Sequence, residues 1–223
     1  MLVILTGKSA SGKDTLKNEL VKKGMIPMLS VTTRPMRQGE QEGREYHFIN
    51  NNEWKDNDYL ESRLYTEIID GKEYDYKYGT PKMNLDDNLY IAIKDKKGAV
   101  MLKDYYGEDN VFILYIDAPY RIRTARALDR AKQSPDFDEE KWEKEWDARR
   151  EADEKHFEDI GYADLIYHNY PMIVGKNYLL EETFNQKVID MPEEYQSAVK
   201  GLYDFIIQLA ESKKEKKDYS IEK

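Results

Sequence analysis

Short apolar runs separated by longer polar stretches characterise the first half of the chain. The first run, Leu2–Leu5, is rich in branched side chains, which is typical of a strand buried on both faces of a sheet. Leu16 and Leu20 are four residues apart and predict a helix over Asp14–Lys23, which Gly24 ends. The chain therefore opens with a strand, a small-residue loop and a helix.

Further apolar runs of strand length follow, and polar stretches with helical spacing lie between them. Alternation of strands with helices predicts an α/β fold in which helices flank a parallel sheet. The further predicted strands are Met28–Val31, Leu89–Ile93, Val111–Ile116 and, with a weaker pattern, Ala163–Tyr167.

Two polar segments interrupt this alternation. Residues 32–81 are polar and rich in tyrosine, and we expect them to form a small separate lobe. Residues 119–160 are highly charged and have helical spacing, so we expect a helical surface segment that we call the lid. We assign the rest to a core (residues 1–31, 82–118 and 161–212) and to a tail (residues 213–223) that is a fraying helix end or disorder. Residues 171–191 form an insertion to which we assign no function.

Composition narrows the function classes. The chain has 223 residues, no cysteine and a formal net charge of −9. The missing cysteines exclude a disulfide framework, a cysteine-based zinc site and a cysteine nucleophile. The negative balance argues against a protein that coats a nucleic acid polymer. Because the apolar runs are too short for a signal peptide or a membrane span, we expect a cytoplasmic protein.

The loop between the first strand and the first helix has the composition of a phosphate loop. Gly7 and Gly12 let the backbone turn so that successive N–H groups, including those of Ser9, Ala10 and Ser11, point at one centre. The start of the helix adds a partial positive charge, and Lys13 adds a full charge for the β- and γ-phosphates of a nucleotide. The alternative is a glycine-rich turn with no ligand.

The two residues after Lys13 depart from the usual pattern. Asp14 occupies the position where a phosphate loop has Ser or Thr, and Thr15 follows it. Thr15 could supply the hydroxyl on the Mg²⁺ side, and Asp14 could hold Mg²⁺ through water. Alternatively, Asp14 only stabilises the first helical turn.

A second group of phosphate-binding residue types follows the Met28–Val31 strand. Arg34 and Arg37 are three residues apart, and Tyr46 adds a phenol. Two guanidinium groups with hydroxyls suit a terminal phosphate, and Glu40 could orient an arginine or accept from a nucleotide. The alternative is a solvated charged loop.

Read together, these segments resemble the guanylate kinase family. The run Thr32-Thr-Arg-x-x-Arg-x-x-Glu-x-x-Gly-x-x-Tyr-x-Phe48 matches that family's signature, and a phosphate loop lies about twenty residues upstream, as in the family. Tyr78-Gly79-Thr80-Pro81 resembles the family's Tyr-Gly-Ser/Thr segment. The resemblance implies a P-loop kinase fold and transfer of the γ-phosphoryl group of ATP to GMP or dGMP with Mg²⁺.

The resemblance also implies roles for individual residues. Thr80 and Asp95 would contact the guanine, because Asp95-Lys-Lys-Gly98 resembles the family's Asp-x-x-Gly. Asn169 would lie near the adenine of ATP. A carboxylate accepts from the N1–H and N2 amine of guanine together, whereas adenine offers no such pair. The residues implied to hold the acceptor phosphate are Ser30, Arg34, Arg37, Tyr46 and Tyr78.

Two positions depart from the family pattern on the base side. The family has a second guanine-binding glutamate before its Tyr-Gly segment; Glu61 is the best match, and Glu67 competes for the role. The family also has Asp-x-Asp at the end of its third strand, where this chain has Ile93 in place of the first Asp. The sequence thus specifies phosphate recognition more fully than base recognition.

The lid carries the remaining candidate catalytic residues. Arg126 and Arg130 are four apart and share a helix face, and Arg149 follows on a second helix. Since phosphoryl transfer depends on neutralising charge on the transferred group, we select Arg130 and Arg149 with Arg126 as a substitute. The alternative is a helix with surface ion pairs. Trp142 and Trp146 are expected to pack the lid helices together.

The leading hypothesis is an active nucleoside monophosphate kinase, as monomer or homodimer, with ATP and GMP or dGMP as its small-molecule partners. A second hypothesis keeps the fold but changes the acceptor to another nucleotide or to a ribose bisphosphate. A third is a peptide-binding module without catalysis. Retention of Gly12 and Lys13 argues against the third hypothesis.

Overall fold

The computed structural model describes residues 1–37, 40–69, 72–169 and 193–221, without the side chains of residues 67–69, 193–196 and 215–221. The predicted insertion at 171–191 lies outside the described residues. The helices are α1 (Lys13–Lys22), α2 (Lys96–Tyr106), α3 (Tyr120–Ala131), α4 (Glu139–His156) and α5 (Glu193–Ile221). The strands are β1 (Leu2–Thr6), β2 (Ile26–Pro27), β3 (Ser30–Thr32), β4 (Tyr46–Phe48), β5 (Tyr59–Ile69), β6 (Lys72–Pro81), β7 (Tyr90–Ile93), β8 (Val111–Asp117) and β9 (Leu165–His168).

The central sheet is parallel throughout, with strand order β2-β7-β1-β8-β9. Successive side chains of β1 alternate between its faces. Val3 and Leu5 pack against α1 and α5, whereas Leu2 and Ile4 pack against α2. The sheet is therefore covered on both faces, which confirms the predicted α/β fold with a parallel sheet between helices.

Strand β1 lies between β7 and β8, at the point where the chain order across the sheet reverses. In open α/β sheets, ligands bind in the crevice outside the carboxyl ends of the strands at such a point. The segments after β1, β7 and β8 all reach this edge. It is therefore the expected position of a site.

The prediction of one core strand over Met28–Val31 is wrong. The chain instead makes the short edge strand β2 and then enters a second sheet at β3. Proline lacks a backbone N–H, so Pro27 is suited to a sheet edge. Met28 and Val31 are buried, at 5% and 9% exposed. The apolar pattern therefore reported burial correctly but did not reveal that the run spans two sheets.

The second sheet has the order β4-β3-β6-β5 and lies between residues 30 and 81, close to the predicted lobe. Strands β5 and β6 form a long antiparallel pair with an irregularity between Tyr59 and Glu61. Trp54 stacks on Tyr59 with 4.0 Å between ring centroids. A Cβ at Gly79 would meet both rings at 2.7 Å, so only glycine fits there. This packing fixes β6, which carries two of the candidate site residues.

Helices α3 and α4 form the segment for which a lid is predicted. Trp146 is buried, stacks parallel to Trp142 and donates from its indole N–H to Thr124 Oγ1 at 3.1 Å. This contact ties α4 to α3, as predicted for Trp146, whereas Trp142 stacks on Trp146 within α4. Asp138 caps α4 by accepting from the Lys141 backbone N–H at 2.9 Å.

Helix α5 closes the core, because Val199, Leu202 and Ile206 pack into the cluster that contains Leu16 and Leu20 of α1. Its backbone is helical through Ile221. Of the two states expected for the tail, a helix end or disorder, the structure shows a helix as far as that residue. None of the described helices is both long enough and apolar enough to cross a bilayer.

Candidate active site

The loop after β1 depends on two glycines with positive φ. Gly7 has φ 141°, and a Cβ there would collide with the Ile116 carbonyl oxygen. Gly12 has φ 95°, and a Cβ there would collide with Asn169 Nδ2. Any other residue at either position would be strained and would overlap a neighbour. The loop therefore has the close, wrapped backbone that a phosphate loop needs.

Lys13 is turned into this loop. Its Nζ donates to the carbonyl oxygens of Gly7 and Lys8 at 2.7 and 2.8 Å. Burial lowers the pKa of Lys13 to about 8, against the opposing effects of Asp14 and Asp153. The ammonium group is therefore in place, with its charge only partly solvated.

Two carboxylates from α4 face the same loop. Asp153 accepts from the Ser9 backbone N–H at 2.7 Å and from the Ser9 hydroxyl at 3.2 Å. Glu154 forms an ion pair with Lys8. Backbone N–H groups of this kind are the ones that would face a phosphate. Asp153 thus lies where an anionic ligand of the loop is expected.

Arg123 of α3 is only 2% exposed and completes this group. Its guanidinium lies 3.6 Å from Asp153 and 3.5 Å from Glu154, and it also donates to the Ser9 carbonyl at 3.4 Å. Sequence reasoning did not select Arg123. Its spacing of three and seven residues from Arg126 and Arg130, on the same helix face, was the available signal.

The selected lid arginines differ in position. Arg126 donates to the Ser11 carbonyl at 3.1 Å and to the Asn169 carbonyl at 2.9 Å, so it supports the back of the loop. Arg130 and Arg149 are exposed, and neither guanidinium has a hydrogen bond or ion pair to another described residue. Arg130 is near enough to contribute to lowering the pKa of Lys13.

Asn169 joins the loop as well. It is 4% exposed and donates from Nδ2 to the Ser11 carbonyl at 2.8 Å. Asp14 and Thr15 are exposed on the first turn of α1. The described residues contain no cluster of three or more side chains with metal-binding character. A carboxylate and a hydroxyl nevertheless suit Mg²⁺, which takes few protein oxygens and keeps several waters.

The acceptor segment forms one compact cluster around Arg34, which is 4% exposed. Its Nε donates to the Tyr78 hydroxyl at 2.9 Å and its Nη2 to both oxygens of Glu40, at 2.8 and 3.0 Å. The ring of Tyr46 lies 5.8 Å from the guanidinium and packs edge-on against Tyr78. The hydrogen bond from Arg34 holds the pKa of Glu40 below its usual value.

Arg37 is exposed, and its backbone N–H donates to Glu40 Oε2 at 2.7 Å. Glu40 therefore orients the arginine segment, the first of the two roles considered for it. The structure thus brings together four of the predicted acceptor residues, Arg34, Glu40, Tyr46 and Tyr78.

A separate polar chain forms the predicted base side. Thr80, 1% exposed, donates to Glu61 Oε1 at 3.1 Å. Lys94 Nζ donates to the hydroxyls of Thr80 and Ser30, at 2.5 and 2.8 Å. The side chain of Ser30 therefore bonds to a base-side residue, Lys94, although the resemblance implied a role at the acceptor phosphate. The structure brings Glu61 into this chain, whereas the side chain of Glu67 is outside the described part.

Asp95 has a partner that the sequence did not predict. The guanidinium of Arg63 takes both of its carboxylate oxygens, with Nη2 to Oδ1 at 2.8 Å, and lies 3.6 Å from Glu61. Asp95 also caps α2 by accepting from the Gly98 N–H at 2.9 Å. Burial acts to raise the pKa of Asp95, but the bonds from Arg63 and Gly98 outweigh it and lower the pKa.

A cavity of about 270 Å³ lies among the phosphate loop, the segment at the end of β7 and α4. Its lining includes Lys13 from the loop, Lys94 and Asp95 from the end of β7, and Asp153 from α4. The donor-side lysine and the base-side carboxylate therefore face one space.

Comparison with known proteins identifies the family. A sequence model described as Guanylate kinase matches residues 1–166. The chain belongs to the guanylate kinase family. The predicted resemblance is therefore confirmed, and the matched residues include the loop, the acceptor segment and the base side.

Curated guanylate kinases match part of the chain. The protein from Anaplasma phagocytophilum is 36% identical over 137 residues, covering 57% of this chain and 62% of that protein. The protein from Aster yellows witches'-broom phytoplasma is 32% identical, covering 52% and 57%. One from Clostridium perfringens is 30% identical, covering 61% and 64%. The chain thus spans somewhat less than two thirds of each relative's length.

A solved structure supports the fold. The crystal structure of guanylate kinase from Anaplasma phagocytophilum superposes with a TM-score of 0.50 and 21% identity, covering 83% of this chain and 80% of that one. The departure from the family pattern at Ile93 lies on the base side, where Lys94 and Asp95 follow it in the chain and Arg63 pairs with Asp95.

Proposed function

We propose that this member of the guanylate kinase family transfers the γ-phosphoryl group of ATP to the phosphate of GMP or dGMP. The observation that carries the proposal is the cavity that Lys13 of the phosphate loop shares with Asp95 of the base side. Donor and acceptor nucleotides bound at these two places would meet within it. The proposed partners are therefore small nucleotides.

The acceptor phosphate is assigned to the Arg34 cluster. Arg34 is held from two sides by Tyr78 and Glu40, so its orientation is fixed before the ligand arrives. A preoriented guanidinium with nearby hydroxyls suits a phosphate dianion. Arg37, exposed beside this cluster, supplies a second cation, and Tyr46 closes its apolar side.

The donor phosphates are assigned to the loop. Its backbone N–H groups from Ser9 to Gly12 and the start of α1 favour anions, and Lys13 would leave its carbonyl partners for the β- and γ-phosphates. An oxygen of the acceptor phosphate attacks the γ-phosphorus, and the bond from that phosphorus to the β-phosphate oxygen breaks, leaving ADP. The attacking oxygen is already anionic, so no general base is required.

Positive charge from the lid would stabilise the transferring group. Arg123 is oriented toward the loop, and Arg130 lies near Lys13. We retain Arg126, Arg130 and Arg149 as proposed catalytic residues, with Arg126 acting also through the loop. Arg130 and Arg149 would act after the lid shifts over the bound nucleotides.

Asp14 and Thr15 would hold Mg²⁺, directly or through water, at the mouth of the loop. The ion supplies charge neutralisation for the phosphates when bound. Asn169 and Ser11 would border the adenine side of ATP, because they bond to each other behind the loop.

Glu61, Thr80 and Asp95 would read the acceptor base. Two carboxylates complement the N1–H and N2 amine of guanine. Asp95 can do so only when Arg63 releases it, since the guanidinium takes both oxygens of Asp95.

The decisive experiment offers the purified protein Mg-ATP with each ribo- and deoxyribonucleoside monophosphate and follows ADP release. We expect turnover with GMP, dGMP or both, and little with AMP. Equal turnover of AMP and GMP would contradict the base-side assignment. Turnover only with another phosphorylated acceptor, such as a ribose bisphosphate, would support the second hypothesis and overturn this one.

A matched pair of variants checks the loop assignment. Lys13→Met removes the charge beside the transferring group and should lower kcat/KM by about 100-fold or more. Lys17→Met, on the same helix and outside the site, should leave it unchanged. Equal activity of both variants would show that the loop lysine is not used.

A further inference from the structure

Lys94 is a cation in an unusual setting. It follows the buried strand β7, and its Nζ donates to two hydroxyls, those of Ser30 and Thr80. No carboxylate of the described residues lies within ion-pair distance of it. Burial lowers the pKa of Lys94 to about 8, against the opposing pull of Glu61 and Asp95. A fold without a ligand gains little from an ammonium group in such a place.

The ammonium retains a donor for a ligand. An ammonium group has three N–H bonds, and the hydroxyls of Ser30 and Thr80 account for two. Lys94 also lines the cavity shared with Lys13 and Asp95. The third N–H is therefore available on the cavity side.

Arg63 indicates where the donor edge of the acceptor base fits. Its guanidinium presents a planar fork of N–H groups to Asp95, with Glu61 beside it. The N1–H and N2 amine of guanine form a similar planar pair of donors. Arg63 therefore occupies the acceptors that the base would use.

The remaining group on this edge of guanine is the carbonyl O6, adjacent to N1–H. Thr80 links the carboxylate of Glu61 to the ammonium of Lys94, with 3.1 and 2.5 Å at the two hydrogen bonds. A donor thus lies next to the carboxylates, in the order that the edge of guanine requires.

We propose that Lys94 donates a hydrogen bond to O6 of the acceptor guanine and is a specificity-determining residue of the base site. The proposal rests on the proposed function. The site would then offer one donor, the Lys94 ammonium, to O6 of guanine. Its carboxylates would accept from the N1–H and the N2 amine. Adenine would turn its N6 amine toward the ammonium, leaving two donors opposed.

The test combines a change in the protein with a change of one ligand atom. Lys94→Met and the wild type are each given GMP and 6-thioguanosine monophosphate, in which sulfur replaces O6. Lys94→Met should lower kcat/KM for GMP by about 10- to 100-fold, because a charge-assisted hydrogen bond is lost. The wild type should prefer GMP, and the variant should lose most of that preference.

Three outcomes overturn the proposal. If Lys94→Met lowers kcat/KM for both nucleotides by one factor, the ammonium serves the phosphate or ribose instead. If the wild type does not distinguish the two nucleotides, O6 is not read by a strong donor. If Lys94→Met turns over GMP like the wild type, Lys94 has no part in recognition. Failure of the wild type to phosphorylate GMP would instead refute the proposed function itself.

Controls keep the result specific. Lys97→Met alters an exposed lysine three residues along the chain and should leave kcat/KM for both nucleotides unchanged. Lys94→Gln retains an uncharged donor, and we expect it to keep part of the preference for GMP. KM for ATP and the melting temperature of each variant show whether the fold is intact.

Discussion

Arg63 is the side chain that most changes the interpretation of the base site. It pairs with Asp95 through two hydrogen bonds, yet its side chain is 39% exposed. Exposed pairs of this kind contribute about 1 kcal/mol or less. Under the proposed function, the guanidinium would therefore compete with the acceptor base for Asp95 without closing the site permanently.

Replacing Arg63 should strengthen acceptor binding. In Arg63→Met the base no longer has to displace a guanidinium, so KM for GMP should fall by up to about 5-fold with kcat little changed. Steady-state kinetics at saturating ATP measure this. A rise in KM would mean that Arg63 holds Asp95 in its working orientation. Lys72→Met, exposed at the start of β6, serves as the control.

The pKa of Lys13 predicts a pH dependence. A lysine whose pKa is lowered to about 8 by burial is charged below that pH and neutral above it. We expect kcat/KM for ATP to fall as the pH rises through about 8, because the free enzyme loses the charge that attracts the phosphates. The measurement is a profile from pH 6 to 10.

Lys94 also has a pKa of about 8, so GMP must be saturating throughout that profile. Lys13→Arg keeps its charge over the whole range and should lack the alkaline decline, even if its activity is lower. A profile that is the same in both proteins would assign the titration to another group.

The residues that sequence analysis found are close in sequence or belong to a motif. Arg34 and Glu40 are six positions apart, and the motif spacing sufficed to predict one cluster. Arg63 lies on β5 whereas Asp95 caps α2, 32 positions away, and Ser9 and Asp153 are 144 positions apart. No local pattern encodes such pairs, so they required the structure.

Among the elements, α4 has the most direct effect on the loop. Asp153 and Glu154 bring two negative charges from this helix to Ser9 and Lys8, and Arg123 neutralises part of that charge. The contact holds the helix against the loop in the absence of a nucleotide. Asp153 also occupies the position beside the Ser9 N–H where a phosphate is expected to bind.

Asp153→Asn should separate these two effects. The charge that opposes phosphate is removed, so KM for ATP should fall several-fold. The buried Arg123 loses an anionic partner, so the melting temperature of the ligand-free protein should drop by several degrees. Kinetics and thermal unfolding on one preparation measure both. A higher KM for ATP would instead indicate that Asp153 positions the lid.

Glu151→Asn, exposed on the same helix, is the control and should change neither quantity. A fall in KM without loss of stability would mean that Asp153 contributes repulsion alone.

Strands were predicted correctly where an apolar run lies wholly within one sheet. Strands β1 and β8 are covered on both faces, and their apolar runs located them within a residue or so. The run at Met28–Val31 passes between two sheets, and apolarity does not specify which sheet a strand joins. Helix α4 was recognised as helical, but its packing against the loop was not, because its residues there are charged.

At the scale of the whole molecule, the parallel sheet and its reversal point determine where chemistry can occur. Loops after β1 and β7 meet at one edge, and α4 covers it. The formal charge of −9 would by itself discourage binding of anionic nucleotides. Attraction must therefore come from local cations: Lys13 and Lys94 line one cavity, and Arg34 lies in the acceptor cluster.

The internal contacts of Asp153 and Asp95, which both line this cavity, have a further consequence. Asp153 lies at the loop as an internal anion, and Arg63 lies at Asp95 as an internal planar donor. Under the proposed function, nucleotide binding is an exchange reaction, in which contacts within the chain are replaced by contacts with the ligand. The free energy of binding is then the difference between the contacts made within the free protein and the contacts made with the bound nucleotide. The number of charges facing a nucleotide will consequently overstate how tightly it binds.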